Sequence, residues 1–238
     1  MKIEGRNAVL EALKSGKDID VILAEKGMRH EILALARERG VKVQFVDKFV
    51  LDKESVTKRH QGVVAKVSDF EYCEPEDILR AAAEKGKAPF LVLLDGVEDP
   101  HNLGSILRVC ECAGVDGVIL PKNRAVPVNE TVIRCAAGAT EYVKVARVTN
   151  LNQTIEFLQQ QGVWVYCADM DGEDIYETDL TGSLALVIGG EGFGVKSLTR
   201  KKCDKAIALP ICGKINSLTA SVACGIAVYE ALRQRRNK

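Results

Sequence analysis

The sequence predicts an α/β protein in two parts, a small N-terminal α/β unit and a larger C-terminal unit built on a parallel sheet. Three observations predict it. From Phe90 onward, short apolar runs alternate with segments of helical period, the pattern of strands covered on both faces by their connecting helices. Before residue 70 the same alternation runs on shorter elements. Between them, residues 71–88 (EYCEPEDILRAAAEKGKA) turn acidic and carry Pro75, which reads as a linker with its own helix over Glu76–Glu84. The domains are therefore drawn at 1–70, 71–88 and 89–238.

In the first part, Asn7–Lys14 has helical period and VILA (Val21–Ala24) is a short strand. EILALARER (Glu31–Arg39) is an amphipathic helix closed by Gly40. VKVQFV (Val41–Val46) alternates like a strand, Phe49–Val56 is a short helix, and GVVAKV (Gly62–Val67) is a further strand. In the second part, FLVLLD (Phe90–Asp95), GVIL (Gly117–Leu120), VWVYCA (Val163–Ala168), LALVI (Leu184–Ile188) and Ala206–Leu209 are strands, with a short one over Tyr142–Val145. Helices are expected over Asn102–Ala113, from Glu130, over Leu151–Gln161 and over Leu218–Arg233.

Composition bounds the function. The 238 residues are 47% apolar and 28% charged, an ordinary globular mixture able to bury a sizeable core. No run approaches the roughly 18 apolar residues of a membrane span. The start, MKIEGRNAVLEALKSG, lacks the apolar segment of a signal peptide, so the expected location is the cytoplasm. The 33 basic and 33 acidic residues cancel, and residues 1–70 carry only fourteen Lys/Arg against eleven Asp/Glu. Charge alone names no partner. The eight cysteines form no CxxC pair, and Cys110, Cys112, Cys135, Cys167, Cys212 and Cys224 sit among apolar or small residues, as buried free thiols do. No metal site is expected.

Ligands of open parallel sheets bind outside the carboxyl ends of the strands, and three strand-end segments stand out there. The first, DGVEDPHNLG (Asp95–Gly104), leads into a helix carrying Arg108 amid apolar neighbours. A charge near a core face needs a partner, and an arginine grips phosphate bidentately. The second, GGEGFG (Gly189–Gly194), follows LALVI. It does not fit G-x-G-x-x-G in any register, and the acid Glu191 at its centre would repel a pyrophosphate. Glycines crowded around one acid imply close backbone approach to a ligand neutral or cationic overall, which suits the sulfonium of S-adenosylmethionine better than a nicotinamide dinucleotide. The third, LPICGKINSLTASVA (Leu209–Ala223), ends a strand at Pro210 and then offers Asn216 or Ser217 to cap a helix. One cap does not account for Gly213, Asn216, Ser217, Thr219 and Ser221 together.

In this order the three segments resemble the signature motifs of the SpoU/TrmH family of SPOUT methyltransferases. LLDGVEDPHNLGSILRVCECAG matches the first with Asn102 and Arg108, LVIGGEGFGV the second with Glu191, and LPICGKINSLTASVACGIAVYEALRQRR the third with Ser217. GRNAVLEAL and RHQGVVAKV resemble the N-terminal RNA-binding domain of the RlmB-type members, an L30e-like fold. The resemblance implies a C-terminal parallel sheet tied in a deep trefoil knot that binds S-adenosylmethionine. It also implies a homodimer, and 2′-O-methylation of a guanosine of 23S ribosomal RNA or its ribosomal precursor, with no metal and no membrane. Its implied catalytic residues are Arg108, Asn102, Glu191 and Ser217, with Asn102 and Glu191 fixing the guanidinium. The cofactor would be held around Gly189, Gly190, Gly192, Leu209, Ile211, Ser217 and Leu218. Arg6, Lys14, Arg29, Lys58, Arg59 and His60 are the candidate RNA contacts, and His101 is read as structural or RNA-contacting. The final helix, with Ile226, Val228 and Leu232, is a candidate dimer face. Thr219 stands where the family pattern has Asn; it keeps a hydroxyl but loses the amide donor and reach. The same motifs serve two other readings: a tRNA 2′-O-methyltransferase on this scaffold, and a non-catalytic RNA-binding or assembly protein.

Overall fold

The apolar runs pair into two sheets, one in each part of the chain. A computed structural model describes residues 2–55, 57–67, 70–192, 194–215 and 217–236. Val56, at the end of an expected helix, and Asn216, an expected cap, lie outside the described residues. The chain divides between Glu71 and Tyr72 into two units.

The first unit runs β1 (Lys2–Glu4), α1 (Arg6–Lys14), β2 (Ile19–Glu25), α2 (Glu31–Glu38), β3 (Val43–Val46), α3 (Lys48–Glu54) and β4 (Val63–Val67). Its mixed sheet has the order β1-β4-β2-β3, with β1 and β2 antiparallel to β4 and β3 parallel to β2. Val9, Leu10, Ala12 and Leu13 recur at helical spacing on α1 and pack with Ile32 and Ala36 of α2 against Ile22, Val63 and Ala65. Leu51 of α3 packs instead with Leu23 and Val64, whose side chains alternate away from that core. This strand polarity gathers the start of α1, residues 26–30, the start of α3 and the turn before β4 at one end of the sheet.

The second unit runs α4 (Pro75–Glu84), β5 (Phe90–Asp95), α5 (Pro100–Cys112), β6 (Gly117–Pro121), α6 (Glu130–Ala136), β7 (Lys144–Val148), α7 (Leu151–Gln160), β8 (Trp164–Asp174), β9 (Leu184–Gly189), α8 (Ser197–Lys202), β10 (Lys205–Ala208) and α9 (Ala220–Arg236). All six strands are parallel, in the order β10-β8-β9-β5-β6-β7. Every residue of β5, β6 and all but the last of β9 is buried, as continuous apolar strands at the centre of a covered sheet must be. The chain steps outward from β5 to β6 and β7, returns to β8 on the other side, steps inward to β9 beside β5 and ends at the edge strand β10, and the carboxyl ends of such strands are where ligands of parallel sheets bind.

Five features differ from the sequence reading. The 71–88 segment is no free linker: Ile78 and Ala82 of α4 are fully buried, and Ile78 shares a core with Leu91, Ile119 and Leu158. It lies over Gly117, where a Cβ would come within 2.5 Å of Ile78 Cδ1. The strand expected at Tyr142–Val145 begins at Lys144, after a 3₁₀ turn at Ala139–Glu141. β8 runs on to Asp174 because β10 pairs with it twice, with the register jumping from Cys167 to Glu173. Val228 of α9 is buried in its own unit, while Val222 and Tyr229 are exposed. Of the six thiols expected to be buried, Cys110, Cys167 and Cys224 are, with a hydrogen bond to Cys224 and burial raising the pKa of Cys110; Cys135 is half-buried, and the expectation is corrected for Cys112 and Cys212, which are exposed. Among the described residues no helix is long and apolar enough to cross a membrane, and no cluster of ligands fit for a metal forms.

Replacing Ile78 by Ala opens a cavity under α4 and is expected to cost about 2–5 kcal/mol in urea unfolding. A side chain on a free linker would cost less than about 0.5 kcal/mol.

Candidate functional site

The carboxyl ends of the strands surround a cavity of about 480 Å³, within the range of sites for small ligands and cofactors. Its walls come from three segments: Ala168, Asp169 and Met170 of β8, where the pairing with β10 shifts register; Ile188–Glu191, Gly192, Gly194 and Val195 at the end of β9 and beyond it; and Leu209, Ile211, Ser217, Leu218 and Thr219 after β10. All seven residues expected around the cofactor line it. Ile188, Val195, Leu209, Ile211 and Leu218 offer an apolar surface for a flat base, while the carboxylates of Asp169 and Glu191 suit a cation. That combination fits an adenosine bearing a sulfonium.

The glycine loop owes its form to the chain's own crossing. A Cβ on Gly189 would come within 2.0 Å of Gly194 C, and one on Gly190 within 2.0 Å of Gly96 O. The expectation that these glycines admit a ligand is corrected on this point: at Gly189 and Gly190 they admit neighbouring backbone. Gly192, at φ 88°, has open space around it and serves the turn. Asp95, 3% exposed, clamps both ends of the loop. Its carbonyl accepts from Gly190 N (2.9 Å), its Oδ2 accepts from Lys196 N (3.0 Å), and its Oδ1 pairs with Lys196 Nζ. The sequence reading named Asp95 only as a strand end.

α5 starts on Asp99, whose carboxylate accepts from His101 N and Asn102 N, with Pro100 in the first turn. Asn102 is thereby held at the crevice, 8% exposed. Its Nδ2 donates to Glu191 Oε1 at 2.5 Å, joining the first and second motif segments. Its Oδ1 accepts from Ser221 Oγ at 2.5 Å, joining the third. Ser221 was not assigned a role from the sequence; its spacing two residues beyond Thr219 was the available signal.

Arg108 is elsewhere. Six residues along a helix turn it about 240° from Asn102, onto an exposed stripe with His101, Ser105 and Cys112. It does not line the cavity. The idea that apolar neighbours in sequence place it near a core face is corrected, since its side chain is exposed. His101 is exposed, and its Nδ1 lies 3.3 Å from Cys135 Sγ.

In the first unit the candidate RNA contacts separate. Glu4 organises the turn before β4, accepting from Ser55 Oγ (2.6 Å) and Thr57 Oγ1 (2.8 Å). Lys58 and Gln61 take left-handed φ of 59° and 50°. Arg6 donates through Nε to Gln61 O at 3.1 Å, so Arg6, Lys58 and Arg59 share one corner. Arg29 is exposed in the loop at the same sheet end, and Lys14 is at the far end of α1. His60 is corrected to a structural residue: it is 4% exposed, its Nδ1 accepts from Gly62 N (3.0 Å), and its Nε2 bonds Asp52 Oδ1 (3.0 Å).

A six-stranded parallel sheet with a ligand-sized cavity at its strand ends, preceded in the chain by a small mixed-sheet unit, is the architecture of a two-unit α/β protein that binds a small ligand. Comparison with known proteins makes the class definite. Residues 89–229 match the SpoU rRNA methylase family, and residues 2–73 match the RNA 2′-O ribose methyltransferase substrate-binding family. A Bacillus subtilis protein named as a TrmH family tRNA/rRNA methyltransferase, YacO, is 45% identical over 97% of this chain and 94% of its own length. An S-adenosylmethionine-bound rRNA methyltransferase from Sinorhizobium meliloti has a TM-score of 0.60 at 26% identity, covering 98% of this chain and 86% of that one. A TrmH/SpoU tRNA-modifying enzyme of A. aeolicus has a TM-score of 0.58 at 28% identity, covering 68% of this chain and 84% of that one. The chain belongs to the SpoU/TrmH family, the S-adenosylmethionine-dependent RNA 2′-O-ribose methyltransferases.

Gly190→Ala drives a methyl into the Gly96 carbonyl and is expected to lower the thermal midpoint by several degrees, the shift of a change costing about 1–3 kcal/mol. Gly192→Ala relieves no such clash and is expected to cost only about 1 kcal/mol, for its left-handed φ.

Proposed function

We propose that this chain methylates the 2′-hydroxyl of a guanosine in 23S ribosomal RNA, free or in a ribosomal precursor, as RlmB-type members do. It works as a homodimer in the cytoplasm, with the C-terminal strands tied in the family's trefoil knot. The observation that carries the reading is the Asn102–Glu191 contact at the cavity, which unites two motif segments 89 residues apart. Ribosomal over transfer RNA is supported by architecture: the rRNA methyltransferase covers both units of this chain, whereas the tRNA-modifying enzyme covers 68% of it. Guanosine is supported by the resemblance of GRNAVLEAL and RHQGVVAKV to the RlmB-type front domain.

When bound, the cofactor supplies an electrophilic methyl group. The backbone around Gly189, Gly190, Gly192, Leu209, Ile211 and Leu218 holds the adenosine, and Ser217 positions the ribose that reacts. A guanidinium carries donors only and no acceptor, so the part of Arg108 is to stabilise the charge developing on the attacking oxygen rather than to remove a proton. Because Arg108 is exposed and outside its own cavity, it serves the cavity of a second copy. Val222, Ile226 and Tyr229 on α9 form a partly exposed stripe suited to that contact. Arg6, Arg29, Lys58 and Arg59 meet RNA phosphates.

Labelled-methyl transfer is expected to ribosomal RNA and not to tRNA, and ribose mapping in a strain lacking the protein should show one unmodified guanosine. Transfer to tRNA alone overturns the ribosomal reading, and cofactor binding without transfer to any RNA overturns the enzymatic one. Arg108→Ala and Glu191→Ala should each reduce transfer about 100-fold or more. Co-refolding the two variants should restore about a quarter of wild-type activity, because mixed dimers carry one intact site; no restoration would place Arg108 in its own chain's site. For RNA affinity, Lys58→Ala with Arg59→Ala should reduce the salt slope by about 1 per lost phosphate contact, while Lys14→Ala leaves it unchanged.

A further inference from the structure

We propose that Ser221 is a positioning residue of the methyl-transfer site, setting the orientation of Asn102 and through it the placement of Glu191, with Thr219 feeding the same chain of hydrogen bonds. The inference rests on the reading of Glu191 as part of the reaction site.

The order of donors follows from chemistry. An ionised carboxylate only accepts, so the 2.5 Å contact to Glu191 Oε1 takes the Asn102 amide nitrogen. That turns Oδ1 toward Ser221, whose hydroxyl must then donate at 2.5 Å. A hydroxyl has one hydrogen, so Ser221 is left only as an acceptor toward Thr219 Oγ1, 3.4 Å away. Thr219 therefore donates, and the chain runs Thr219 to Ser221 to Asn102 to Glu191 in a single direction. Each member polarises the next.

A first-turn helix serine normally bonds its own helix end. Ser221 does not: its hydroxyl reaches across to α5, and the first-turn bond from Ala223 N goes to Thr219 O at 3.0 Å. Asn102 is fixed twice, by Asp99 at its backbone and by Ser221 at its side chain. With Ser221 removed, Oδ1 loses its donor and the Asn102 side chain is tethered at one end only, by Glu191. Thr219 and Glu191 both line the cavity, and the buried Asn102 and half-buried Ser221, which do not, link these two cavity residues. A threonine hydroxyl suffices at 219, because the chain asks only for a donor to Ser221.

The test compares Ser221→Ala, Ser221→Thr and Thr219→Val as full-length proteins. Calorimetric titration with S-adenosylmethionine should give a Kd within about twofold of wild type for all three, while kcat for transfer to ribosomal RNA falls about tenfold in Ser221→Ala and about threefold in Thr219→Val, and recovers in Ser221→Thr. In the free protein, the Asn102 side-chain amide proton signals should shift and exchange faster in Ser221→Ala, and return in Ser221→Thr. A wild-type kcat with unmoved Asn102 signals in Ser221→Ala overturns the proposal. If Ser221→Ala does not fold, a wild-type kcat and signal in Thr219→Val with loss of both in Ser221→Thr also overturns it. If no RNA is methylated by the wild type, the amide signals still decide the hydrogen-bond chain, and only the reaction reading falls.

Discussion

The second unit turns on a buried carboxylate at the end of its central strand. Asp95 needs partners because a carboxyl group taken out of water is costly unless it is hydrogen-bonded. It finds them in Lys196, through both the backbone and the side chain, while its carbonyl takes Gly190. An exposed pair such as Lys26–Asp47 contributes about 0–1 kcal/mol and fixes nothing of consequence. The clamp at Asp95 fixes both ends of the glycine loop, so Glu191 has a defined position. From Glu191 the hydrogen bonds run to α5 and then to the start of α9. Three segments far apart in sequence are thus referred to one strand end.

The fold was largely legible because its strongest signals are local. FLVLLD and LALVI are continuous apolar runs, and only strands covered on both faces need that. Where burial depends on a few residues, the signal fails. The helix at Pro75–Glu84 buries Ile78 and Ala82 within an acidic, alanine-rich stretch, so composition points to a linker while two side chains make it part of the core. The far half of β8 reads ADMDGED, with no apolar alternation; its pairing comes from β10, a partner no local pattern reveals.

The site was legible as three loops and not as a geometry. Chemistry at the strand ends pointed to Glu191 and the loop at 209–219, and the family resemblance added Asn102; these line or adjoin one cavity. Three inferences failed for nameable reasons. Arg108 looked buried because its sequence neighbours are apolar, yet a helix distributes neighbours around its axis. The glycines at 189 and 190 looked like room for a ligand, and glycine leaves no mark in sequence that distinguishes a ligand from another stretch of backbone. His60, amid KRHQ, had the look of an exposed basic turn, but its ring is spent on Asp52 and Gly62.

The pairing of β1 with β4 sets Lys2 opposite Lys66. Every strand partner of the first unit therefore lies within the first 67 residues, so its sheet is complete in outline once that length has left the ribosome. β5 has no such independence. Its neighbour β9 is more than 90 residues downstream, and loop closure over that span makes such pairing slow. During synthesis the chain thus carries a finished RNA-side unit ahead of a methyltransferase sheet whose central apolar strand is still waiting for its mate, the interval in which exposed strand edges are most prone to aggregate.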